Sequence, residues 1–187
     1  MKIVSGHWGE LPSGWSLVRL ISLTALLAAT AVAQSVHKGE SHLTVSVIAD
    51  KREYRLGDKI AFEVLLTNQS NVPVYLYAYL ARGESASLSV WFKDVVSGKV
   101  IPQTVVADSI TPPPPSKNVF VQLLPWHVYG VVVKSGLADF GVEKEGKYQL
   151  MVQYHSPVPS SRSFGLPIWS AEDGPLSSDD VTITVRE

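Results

Sequence analysis

Between Gly146 and Tyr154 the chain reads Gly-Lys-Tyr-Gln-Leu-Met-Val-Gln-Tyr, which puts Tyr148, Leu150, Val152 and Tyr154 on one side of a two-residue period. Lys147, Gln149, Met151 and Gln153 share the other side. Successive side chains of a strand point to opposite faces, so this alternation marks a strand with one buried face. It is expected to be a central strand, entered through the turn Glu145-Gly146.

The same period recurs along the chain. Leu43–Ala49 turns Leu43, Val45 and Val47 inward, and Lys59–Asn68 carries Ile60, Phe62, Val64 and Leu66 as a second core row. Phe62 is a structural residue of that row, and its burial contributes roughly 1.5–3 kcal/mol. The polar cluster Asn68-Gln69-Ser70-Asn71 and Pro73 end the strand, because proline has no N–H for a ladder. Residues 74–79 follow, with Val74, Leu76 and Ala78 on one face and Tyr75, Tyr77 and Tyr79 on the other. Residues 86–94 turn Leu88, Val90 and Phe92 in and Trp91 out.

Ser97-Gly98-Lys99 reads as a hairpin turn, and residues 112–115, all proline, as a stiff polyproline II crossing. Residues 118–124 and 128–134 add two apolar strands around Pro125-Trp126-His127, with Pro125 a structural turn residue. Residues 136–142 have room for one helical turn, and Val181, Ile183 and Val185 form the last strand. Between them, residues 155–179 make a long irregular segment of the kind that is usually functional or disordered. Short strands divided by turn signals, with no helical period, predict an all-β fold. The expected form is a single antiparallel two-sheet sandwich of about 8 strands.

Ahead of the strands, residues 20–33 carry no charge, follow Arg19 and end Ala31-Val32-Ala33. That is the pattern of a secretory signal peptide with an Ala-x-Ala cleavage site. Residues 1–33 are therefore expected to be removed, and residues 34–42 to form a flexible leader before one domain, residues 43–187. The apolar run is shorter than the about 20 residues of a membrane span, and the chain has no cysteine to carry a lipid. No stable membrane anchor is expected after cleavage.

The remaining chain of about 150 residues can bury roughly 70% of its unfolded surface, enough for a core without disulfide or metal. A secreted chain free of cysteine fits a bacterial envelope better than a eukaryotic exterior, where small domains are disulfide-rich. With 16 Lys+Arg against 17 Asp+Glu and no basic cluster, the charge argues against nucleic acid and anionic membrane surfaces as partners.

Tyr148, two residues past Glu145-Gly146, stands like the tyrosine corner of immunoglobulin-like sandwiches, whose hydroxyl returns to a nearby backbone group. Gly146 and Tyr148 are then structural, and the bond is worth about 1 kcal/mol net. Tyr54-x-Leu56-Gly57-Asp58-x-Ile60, Leu66-Thr67-Asn68-x-Ser70 and Pro73-Val74 resemble the opening half of immunoglobulin-like domains in secreted bacterial proteins. Leu124-Pro125, Gly146-x-Tyr148-x-Leu150, Trp169, Gly174, Ser177 and Val181-x-Ile183-x-Val185 resemble the closing half.

The order of the Asn68-x-Ser70 turn, Pro73-Val74, the hairpin at 94–99 and Leu124-Pro125 is also similar to the intracellular proteinase inhibitor family of bacilli. The chain departs from that family at Val100-Ile101-Pro102, where a tryptophan-rich strand would follow, and no inhibitory residue carries over. These resemblances imply an immunoglobulin-like β-sandwich. They name no activity, because turns and core positions are shared by many functions.

Catalytic motifs are missing from the sequence. Gly83-Glu84-Ser85-Ala86-Ser87 lacks the second glycine of a nucleophile elbow. The histidines His7, His37, His42, His127 and His155 do not cluster, and Asp173-Gly174 and Asp179-Asp180 do not follow a calcium-loop spacing. No catalytic residue, metal or cofactor is expected.

Two features point to binding instead. The Tyr75, Tyr77, Tyr79 row suits stacking against a sugar or a partner, or else packs under the long loop or beside Trp91. Residues 156–178, with Arg162, Phe164, Trp169, Glu172 and Asp173, occupy the position of an antigen-binding loop in antibody variable domains. In the competing reading, Phe164 and Trp169 plug the open end of the sandwich. The expectation is a secreted or periplasmic, non-enzymatic binding or structural module of the bacterial cell envelope, with a protein or carbohydrate partner. A proteinase inhibitor and a carbohydrate-binding module with an aromatic face are the alternatives, and ligand and oligomeric state stay open.

Overall fold

The computed structural model describes residues 43–83, 86–102 and 116–187. The signal segment, the leader and the proline run at 112–115 lie outside the described residues. Ten strands follow in order: β1 Leu43–Ala49, β2 Glu53–Arg55, β3 Lys59–Asn68, β4 Val74–Tyr77, β5 Leu88–Asp94, β6 Phe120–Leu123, β7 Val128–Gly136, β8 Gly146–Tyr154, β9 Leu176–Ser177 and β10 Val181–Arg186. Short 3-10 turns sit at Lys117–Val119, Leu137–Phe140, Ser160–Arg162 and Ala171–Asp173, and no α-helix occurs among the described residues. None of these turns is long and apolar enough to cross a membrane.

The fold is all-β. Three sheets form it: β1-β3-β7, β2-β10-β8-β5 with β9 beside β8, and the two-stranded β4-β6. Every pairing of named strands is antiparallel except β2 with β10. β8 is central as its apolar row predicts: Leu150 lies opposite Phe92 of β5 on one side and Val181 of β10 on the other. Ile60, Phe62, Val64 and Leu66 of β3 join Leu88, Val90 and Phe92 of β5 and the inward row of β8 in one hydrophobic cluster. Phe140 links them, its ring 6.1 Å from Phe62 and 5.2 Å from Phe92.

Two tyrosines on β8 tie this core to the backbone. Tyr148 Oη donates to the Lys144 carbonyl at 2.8 Å, the corner bond expected from the sequence. Gly146 allows it: the backbone there has φ +156°, and a Cβ would meet the Tyr148 ring at 3.4 Å. Tyr154 is fully buried, and its Oη accepts the Tyr77 N–H at 3.2 Å, joining β8 to β4 through a side chain.

Where the strands differ from the sequence reading, local causes are visible. β4 ends at Tyr77 rather than at residue 79, and residues 118–124 split into a 3-10 turn and β6. β2 and β9 have 3 and 2 residues, too few for a two-residue period to declare itself, so the count rises from about eight to ten.

Candidate functional site

The tyrosine row does not survive as a single face. Tyr75 is half-buried because the long loop docks on it: Tyr75 N–H donates to the Pro167 carbonyl at 3.0 Å and Trp169 N–H to the Tyr75 carbonyl at 2.8 Å. Tyr77, expected to face outward, is only 6% exposed. The strand stops there, so the alternation that would carry Tyr77 and Tyr79 to one face is lost. Tyr79 is exposed and rests 5.6 Å from the Tyr77 ring. Trp91 stands half-buried on β5, opposite Met151 of β8, in a different ladder from the tyrosines.

The long loop separates its own candidates. Trp169 is buried in the core cluster and donates Nε1–H to the Gly174 carbonyl at 3.2 Å, so it plugs the fold. Asp173 caps the turn, accepting the Ser170 N–H and Oγ–H at 2.7 Å each. Glu172 accepts the Ser160 N–H at 2.9 Å, and that bond holds its carboxyl below the usual carboxylate range. Both acids brace the loop. Arg162 and Phe164 face solvent, Phe164 at φ +55°.

The sequence reading passed over a four-residue turn. Trp126, between β6 and β7, is 67% exposed and adopts φ +64°. A bulky residue in the left-handed region costs roughly 1–2 kcal/mol, so neighbours must hold it there.

Asn68 is the anchor, buried at the end of β3. Its Nδ2 donates to the carbonyls of Val72 at 2.8 Å and Leu123 at 3.0 Å, and its Oδ1 accepts the Ser70 N–H at 3.0 Å and Oγ–H at 2.7 Å. Its backbone carbonyl takes the Trp126 N–H at 2.7 Å, while its own N–H donates to the His127 carbonyl at 3.1 Å. Its side chain thereby fixes the 68–72 turn and the end of β6 while its backbone holds the 124–127 turn, and around it Val72, Leu124, Trp126 and Val128 all reach solvent.

In this cluster the Trp126 N–H and the Leu124 and His127 carbonyls are bonded within the chain, and the side chains offer apolar surface outward. That is the chemistry of contact with another apolar surface, in which an aromatic anchor supplies most of the energy. Backbone strain of this kind gathers at functional positions. No residue period announces it; the only signals were the Asn-x-Ser turn and a tryptophan directly after proline. Among the described residues, no group of three or more His, Cys, Asp or Glu side chains is arranged to hold a metal ion.

The sequence matches no protein family and no curated protein. Among solved structures it is similar to a β-glucosidase from Erythrobacter marinus, at 14% identity and TM-score 0.39, covering 80% of this chain and 16% of that one. An alkylpurine DNA glycosylase from Pseudomonas fluorescens aligns at 12% identity and TM-score 0.39, over 93% of this chain and 40% of that one. The CARDB domain of the PF1109 protein from Pyrococcus furiosus aligns at 11% identity and TM-score 0.37, over 78% and 94%. Likenesses at these TM-scores assign neither family nor function.

Proposed function

We propose that residues 43–187 form an immunoglobulin-like two-sheet sandwich acting as a non-enzymatic binding module of the bacterial cell envelope, secreted or periplasmic after removal of residues 1–33. The tyrosine corner at Tyr148 and the single core between facing strand rows support the immunoglobulin-like reading. One observation carries the binding role: Trp126, exposed and held in the left-handed region by buried Asn68. A protein partner with an apolar patch suits this end better than a sugar, because the exposed neighbours of Trp126 are aliphatic.

A photo-crosslinker at position 126 tests the proposal, with one at the still more accessible Val96 as control. The expected result is one partner captured from envelope extract at 126 and absent at 96, with capture blocked by excess unlabelled protein. Identical capture at both positions would remove Trp126 from the role. Stoichiometric inhibition of a secreted protease would replace this reading with that of a proteinase inhibitor, and hydrolysis of an ester, glycoside or peptide would replace it with an enzyme.

A further inference from the structure

β7 forms one edge of its sheet, and the ladder fixes which of its backbone groups face away. Asp50 N–H donates to the Ala61 carbonyl, so odd-numbered residues of β3 address β1; Asn68 N–H donates to the His127 carbonyl, so even-numbered ones address β7. The register pairs Ile60 with Ser135, Phe62 with Val133, Val64 with Val131 and Leu66 with Tyr129. Odd residues of β7 are thus bonded to β3, and the N–H and C=O groups of Val128, Gly130, Val132 and Lys134 point off the edge. None of these groups has a backbone partner among the described residues.

Natural edges are usually blunted by proline, a bulge or several charges. The β4 edge here is covered by a bridge from Ile168, and the β5 edge by bridges from Arg82 and Val100. β7 carries a single guard, Lys134, over 9 residues.

We propose that β7 pairs antiparallel with β7 of a second copy, on a two-fold axis through Val132. Val132 is the midpoint of Val128–Gly136, so this register alone matches the strands end to end, with Gly130 opposite Lys134, Val132 opposite itself and Val128 opposite Gly136, whose N–H stays with the Asp139 carboxylate. It keeps the two Lys134 side chains apart. Each lysine meets Gly130 of the other copy, whose missing Cβ is filled by a Leu65 methyl, 2.6 Å from where that Cβ would stand. The lysine stem lies against that methyl, and Glu63, opposite in sign, stands on the same face one register step away. Exposed Val132 and Ile48 flank Glu63 in one cross-strand row, which the second copy extends. This inference is independent of the role assigned to Trp126.

The test uses the absence of cysteine from the chain. Hydrogen-bonded antiparallel neighbours have Cα atoms about 5.5 Å apart, within the disulfide range, so Val132→Cys on the full chain should oxidise to a linked dimer. Lys134→Cys and Val128→Cys should stay unlinked, since each lies opposite a different residue. Sedimentation over a concentration series should give a dimer for the unaltered chain. Val132→Pro, which removes only an outward N–H, should give a monomer with unchanged circular dichroism. A monomer at every concentration, equal linking at all three positions, or a monomer that takes up an extended peptide at β7 instead would each overturn the proposal.

Discussion

Residues 124–127 and residues 155–179 both bring a tryptophan to the rim of the fold, and they use it in opposite ways. The long loop braces itself with two acids at its surface and turns Trp169 inward, while its Phe164 stays outward. The short turn has little to brace itself with, borrows Asn68 from β3, and holds Trp126 outward in a strained backbone. Loop length and aromatic content therefore do not decide what is presented to a partner. Backbone geometry does, because an outward aromatic in the left-handed region, Trp126 in the short turn and Phe164 in the long loop, persists only where neighbours over-determine it.

The contrast is open to measurement. Its largest consequence is for Trp169→Ala, which should cost about 3–5 kcal/mol in urea titration, as for aromatic truncation in a core. If Trp126→Ala cost as much, the two tryptophans would not differ in kind. Asn68→Ala should cost about 1–3 kcal/mol, since it takes the Nδ2–H donor from the buried Leu123 carbonyl and the Oδ1 acceptor from the Ser70 N–H. It should also loosen the 68–72 turn, which the side chain holds, read as faster amide exchange there than in 155–179. Trp126→Gly should raise stability by about 0.5–1 kcal/mol, the relieved left-handed cost less glycine's added unfolded-state freedom, while partner capture falls. A loss of stability would mean that Trp126 is packed rather than displayed.

The smallest effect concerns pH where the long loop begins. Burial pushes the His155 imidazole below the ordinary histidine value. The unfolded chain then binds the proton first, so His155 lowers stability as pH falls through its unfolded value near 6.5 toward the depressed folded value, with no further loss below that. Melting temperatures between about pH 7.5 and 5.5 should fall in the unaltered protein and flatten in His155→Gln. Equal slopes in the two would detach the loop's stability from that residue.

Side-chain period made much of the fold legible. The rows of β1, β3 and β8 appear with the boundaries their sequence implies, and Tyr148 makes the bond its distance from Gly146 suggested. Tyr77 was misread because alternation holds only while the strand lasts, and β4 stops at that residue. Trp126 was missed for a deeper reason: φ is set by what Asn68 does 58 residues earlier in the chain, and no local pattern encodes it.

The buried bond between Tyr77 and Tyr154 also gives the molecule an optical clock. Burial pushes the Tyr154 phenol well above the ordinary tyrosine range near 10. In an alkaline jump, exposed tyrosines should become tyrosinates within the mixing time, whereas Tyr154 must wait for β4 and β8 to separate. Its neutral form favours the fold up to the unfolded pKa, and that support fades as pH rises beyond it. In Tyr54→Phe, which removes the other strongly raised phenol, the slow phase of ultraviolet absorbance would therefore time the opening of the core without any added label.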